Sequence, residues 1–137
     1  MRRRLLVASP LLALLCLAFG AVSAFAAGPA PVTDLRAQKS GTSVILAWTH
    51  SDGSADHYEV WWSDSPYAAI GDAGMVKIAD VTPVAPGTVT YTDTASGVGN
   101  TAVNSFYAVR GVTAGGETSA LSNRAGEFDF ALQSGNP

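Results

Sequence analysis

His50 and His57 flank a turn that also carries Asp52 and Asp56. Imidazoles and carboxylates are ligand types for zinc and related metals. Spacing alone fixes no coordination geometry, and aspartates also form ordinary turns, so the segment reads as a polar loop and no metal is assigned. Asp52-Gly53-Ser54-Ala55-Asp56 resembles the first half of a calcium loop, but Ser63 stands where the twelfth position requires a bidentate glutamate. Nucleophilic chemistry finds no better footing. The serines lack a Gly-x-Ser-x-Gly elbow, and the single cysteine, Cys16, lies in an N-terminal apolar run. No cofactor and no catalytic residue is expected, and the chain does not read as an enzyme.

Two aromatics are the candidate ligand-binding residues. Trp61 and Tyr67 lie close together in sequence, and exposed aromatic rings on a β protein stack on sugars or anchor protein partners. Two readings remain for Trp61: a platform open to solvent, or a ring covered by the loop that follows it.

Elements must hold these residues in place, and alternation marks them. In 42–49, Val44, Leu46 and Trp48 alternate with Ser43, Ile45 and Ala47, the period of a strand with one buried face. In 57–63, Tyr58, Val60 and Trp62 share one face, while His57, Glu59 and Trp61 share the other. The glutamate turns that second face toward water. Shorter strands are expected over 32–38 with Leu35 inward, over 75–81, and over 88–92 with Val89 and Tyr91 on one face. Residues 64–74 form a loop, with a single helical turn open to 66–70, and 96–100 form a turn. A hairpin then runs from 104–112 through Gly115-Gly116 into a second arm over 118–132, where Phe128, Phe130 and Leu132 alternate. Phe128 and Phe130 complete the core, or else offer an edge to another chain's strand. Seven short strands without helical periodicity indicate an all-β, two-sheet antiparallel sandwich.

The first 26 residues read differently. Arg2, Arg3 and Arg4 precede an apolar run, and Ala24-Phe25-Ala26 has the small-x-small pattern of a cleavage site, together a secretory signal peptide. Retention as a membrane anchor is the alternative. Removal leaves 27–31 as a short linker, 32–132 as one domain and 133–137 as a tail. It also leaves five basic residues against eleven acidic ones, a net charge of −6. That balance gives no electrostatic footprint for nucleic acid and no attraction to anionic membranes. A secreted, extracellular or cell-envelope location follows, with no stable membrane insertion after cleavage.

Pro31-Val32-Thr33-Asp34-Leu35, Trp48, Tyr58-Glu59-Val60-Trp61-Trp62, Tyr107-Ala108-Val109-Arg110-Gly111-Val112 and then Gly116 and Ser119 occur in that order. Together they resemble a fibronectin type III domain of the bacterial exported type. The resemblance implies an immunoglobulin-like sandwich of three and four strands, with Trp48, Tyr58, Val60, Tyr107 and Val109 in the core. Members often carry a tyrosine four residues before the valine of the sixth strand, where its hydroxyl ties down a loop. Ser105 stands there, so Phe106 or Tyr107 would have to serve in a shifted register. The segment between the third and fifth strands is also longer than usual. The resemblance implies a non-catalytic module for adhesion, cell-surface organisation or protein–protein interaction, through loops or a sheet edge. A small carbohydrate-binding module using Trp61 and Tyr67 is the alternative, and the expected partner is an unidentified protein or polysaccharide.

Overall fold

Val44, Leu46 and Trp48 are fully buried, while Ser43, Ile45 and Ala47 between them are half exposed. This alternation makes one strand the centre of a three-stranded sheet. The computed structural model describes residues 27–51, 53, 55–95 and 104–126. The expected leader, Asp52, Ser54, the 96–100 turn, Phe128, Phe130, Leu132 and the 133–137 tail lie outside them.

The strands are β1 (Arg36–Ser40), β2 (Ser43–His50), β3 (His57–Ser63), β4 (Met75–Val81), β5 (Gly87–Asp93), β6 (Phe106–Val112) and β7 (Ala125–Gly126). They form one sheet in the order β1-β2-β5 and another in the order β4-β3-β6-β7, and every pairing is antiparallel. Among the described residues there is no helix. The inner faces meet in a core that includes Val44, Leu46, Trp48, Tyr58, Val60, Val89, Tyr107 and Val109. Trp48 meets Tyr58 edge to face, with ring centroids 5.5 Å apart, a favoured aromatic geometry.

Several elements differ from the sequence expectation. The first strand starts at Arg36 rather than at residue 32, although Val32 and Leu35 are both buried. Leu35 has its backbone partners elsewhere: its N–H donates to Asn123 Oδ1 at 3.0 Å, and its carbonyl accepts from Asn123 Nδ2 at 2.9 Å. One side-chain amide thus replaces a rung of sheet. Trp62, expected inward, is only partly buried at the margin of the core. Residues 64–74 form the expected loop, and the helical turn left open at 66–70 is replaced by non-helical turns.

The second hairpin arm also departs from a continuous strand. The turn is held by hydrogen bonds from Thr113 N–H to the Glu117 carbonyl and from Gly116 N–H to the Thr113 carbonyl. Gly116 takes φ +91°, a conformation natural to glycine. Thr118 makes one bridge to Val112, after which serine hydroxyls enter the ladder. Ser119 Oγ accepts from Gly111 N–H, and Ser122 Oγ accepts from Val109 N–H, both at 2.9 Å. Each hydroxyl donates its own hydrogen bond to the next residue's carbonyl. Regular pairing resumes at Ala125–Gly126, where a side chain in place of Gly126 would collide with the Phe106 ring and the Ser105 carbonyl.

The corner role falls to Tyr107. Its hydroxyl donates to Asp93 Oδ2 at 2.8 Å, in a buried link between β6 and the end of β5. Asp93 Oδ1 accepts from Ala95 N–H, so the same carboxylate fixes the chain as it leaves β5.

Candidate functional site

The outer face of β3 carries His57, Glu59 and Trp61, and antiparallel register places Arg110 of β6 opposite Glu59. Arg110 Nε donates to Glu59 Oε2, as does Trp61 Nε1. Lys77 of β4 lies 3.5 Å from Glu59 Oε1 and also pairs with Asp80 at 3.0 Å. The Arg110 guanidinium sits over the Trp61 ring, 5.3 Å from its centroid, within cation–π range. Burial raises the Glu59 pKa, but the Arg110 bond and charge, the Trp61 bond and the Lys77 charge together outweigh it. The net shift is downward, which keeps the carboxylate ionised. This face is a mutually satisfied network.

The 64–74 loop packs over the other part of Trp61. Ala68, Met75 and Ala108 form a small buried cluster, with Trp61, Ile70 and Leu121 against it. Short-range bonds stiffen the loop: Ser65 N–H to Ser63 Oγ at 3.0 Å, Ala69 N–H to Asp72 Oδ2 at 2.8 Å, and Met75 N–H to the Asp72 carbonyl at 3.0 Å. Gly71 reverses the chain at φ +106°. Arg124, just before β7, donates through Nη2 to the Ala68 carbonyl and approaches Met75 Sδ at 3.7 Å through Nη1. Burial lowers the Arg124 pKa from its usual value. A cation therefore clamps the loop to the sheet from a position far away in sequence.

That clamp leaves Tyr67 standing out, with 92% of its surface exposed. Beside it, Pro66, Phe106 and Arg124 help line an open, mainly apolar cleft of about 670 Å³. The two candidate ligand-binding residues therefore occupy different environments: Trp61 is half-buried under Arg110 and the loop, and Tyr67 is free at the tip. Phe106, Arg110 and Arg124 were not singled out as contact residues from the sequence. For Arg110 a signal existed, since strand pairing would set it across from Glu59; for Arg124 there was none.

The histidines are separated. His50 is buried, with Nδ1 2.7 Å from the Tyr58 hydroxyl, whereas His57 Nδ1 lies 2.9 Å from Asp56 Oδ2 on the surface. Among the described residues, no group of three histidine, cysteine or acidic side chains is placed to hold a metal.

With strand order and site geometry established, the fold is a two-sheet antiparallel β-sandwich like that of fibronectin type III domains. A similar solved structure is an Fn3-like protein from Clostridium thermocellum, at 24% identity and TM-score 0.51, with 73% of this chain and 88% of that one covered. Pectate lyase Pel3 from Pectobacterium carotovorum is similar at 26% identity and TM-score 0.50, over 67% of this chain. Pectate lyase PelI from Erwinia chrysanthemi, in complex with tetragalacturonic acid, is similar at 18% identity and TM-score 0.55, over 71%. This chain spans only 25% and 28% of those two lyase chains, so the likeness is to one domain of each. No family model matches the sequence, and no characterised protein matches it at a significant level.

Proposed function

We propose that this chain is an exported, non-catalytic Fn3-like module that contacts a protein partner through the tip of its 64–74 loop. The observation that carries the reading is Tyr67, 92% exposed on a loop that Arg124 pins in place. A pre-ordered loop loses little freedom on binding, and a tyrosine offers a large contact area with few rotamers. Such a contact serves adhesion, cell-surface organisation or protein interaction. Its test is a photo-crosslinking residue at position 67, compared with one at the exposed Lys39 of β1, in cells producing the chain. A protein adduct formed at 67 but not at 39, and suppressed by excess wild type but not by Tyr67→Ala, supports the reading. Equal adducts at both positions contradict it.

A carbohydrate reading has its own supporting observation: an exposed ring beside the Arg124 cation, a combination suited to stacking on a sugar and attracting an acidic one. The similarity to a pectate lyase crystallised with tetragalacturonic acid supports examining uronic acid polymers. Trp61 would enter only if Arg110 left its ring. Retardation of wild type, but not of Tyr67→Ala, in a polygalacturonate gel favours this alternative.

A further inference from the structure

We infer that the free edge of β5 pairs with β5 of a second copy of this chain, joining two three-stranded sheets into one continuous six-stranded sheet. β5 bonds to β2 on one side, and among the described residues no backbone hydrogen bond is made on its other side. A strand edge left in this way is a template for another strand.

The other described edges carry features that discourage such pairing. β1 is five residues long and bears Arg36 and Lys39. β4 bears Lys77 and Asp80, and its register with β3 shifts between Val60 and Trp61. The described β7 is two residues long. β5 has none of these devices: its seven residues are Gly-Thr-Val-Thr-Tyr-Thr-Asp, and its one charged side chain, Asp93, is bonded to Tyr107. A crevice of about 390 Å³ lies between the preceding segment, Val81 to Pro86, and Gly87, Thr88, Val89 and Thr90.

The strand is also complementary to itself. With Thr90 on a two-fold axis, antiparallel pairing sets Thr90 against Thr90, Thr88 against Thr92, Val89 against Tyr91 and Gly87 against Asp93. The exposed Thr88, Thr90 and Thr92 would form a row of threonine pairs on the outer face. Val89 and Tyr91 would meet as a β-branched–aromatic pair on the inner one, both favourable cross-strand combinations. No two charges face each other. A two-fold strand pairing of this sort is closed, so association stops at two. The contact does not involve the Tyr67 loop.

Sedimentation equilibrium of the purified protein over a range of concentrations tests the idea, together with Thr90→Lys and cysteine variants in a Cys16→Ser background. Wild type is expected to reach a dimer, and Thr90→Lys, which places two ammonium groups on the axis, to weaken it about tenfold or more. Thr90→Cys is expected to form a disulfide-linked dimer on mild oxidation. Thr88→Cys is not, because the two copies of that position would lie about 13 Å apart along the strands, beyond the roughly 7 Å that a disulfide spans between Cα atoms. The cysteine pair keeps the test informative even where lysine disturbs folding. A wild type that stays monomeric, a dimer indifferent to Thr90→Lys in a folded variant, or equal cross-linking at 88 and 90 would overturn the inference.

Discussion

Three side chains bind the core and its margins together, each by a different physical effect. Trp48 is fully buried and packs edge to face on Tyr58, so Trp48→Ala is expected to cost about 3–5 kcal/mol in urea denaturation. A loss below about 1 kcal/mol would mean that this ring does not fill the core. Tyr107→Phe keeps the ring but takes the hydroxyl from Asp93. It is expected to cost about 1–3 kcal/mol, because a buried carboxylate loses a donor. Glu59 gives a pH signature. Its folded pKa lies below its ordinary value, whereas the unfolded value is about 4.3. Its contribution is therefore fully present above the unfolded value and lost as pH falls through the folded one. Glu59→Gln is expected to be less stable than wild type near neutrality, with the difference shrinking on acidification below about pH 4. Asp34 also has a lowered pKa but is common to both proteins, so the difference between their profiles isolates Glu59. A gap that does not change with pH would contradict this assignment.

Among the elements, β2 and β3 as far as Val60 were legible because a strand with one buried face must alternate, and their residues do. The start of β1 was not. Leu35 has the same inward side chain whether its backbone pairs with a strand or, as here, with the Asn123 amide. The described part of the last arm, 118–126, departs from a continuous strand for a related reason: the Ser119 and Ser122 hydroxyls accept from the Gly111 and Val109 N–H groups, which no alternation in the sequence signals. The 64–74 loop was visible as a loop from its glycine and aspartate content, but its anchoring depends on Arg124, which no local pattern ties to it. Arg124→Ala is accordingly expected to loosen the loop. Amide exchange at Ala69 and Met75 should speed up while the β2 amides remain protected. Unchanged exchange in the loop would mean that its internal turns suffice to hold it.

For the molecule as a whole, two faces of the four-stranded sheet serve different ends. The inner face closes the sandwich on Trp48, while the outer face is filled by the Glu59–Arg110–Trp61 network and the clamped loop. Several polar groups are paired, with His50 on Tyr58, His57 on Asp56 and Tyr107 on Asp93, and among the described residues Tyr67 is the aromatic whose side chain stays exposed. Because its side chain is so exposed, Tyr67→Ala is expected to change stability by less than about 0.5 kcal/mol. Any loss of binding then belongs to the contact. The most direct measurement is competition on cells producing the chain: fluorescently labelled wild type is displaced by unlabelled wild type or by unlabelled Tyr67→Ala. The proposed contact requires saturable binding and a Tyr67→Ala competitor weaker by about tenfold or more, the effect of losing an aromatic anchor. Equal competition by the two proteins would contradict it.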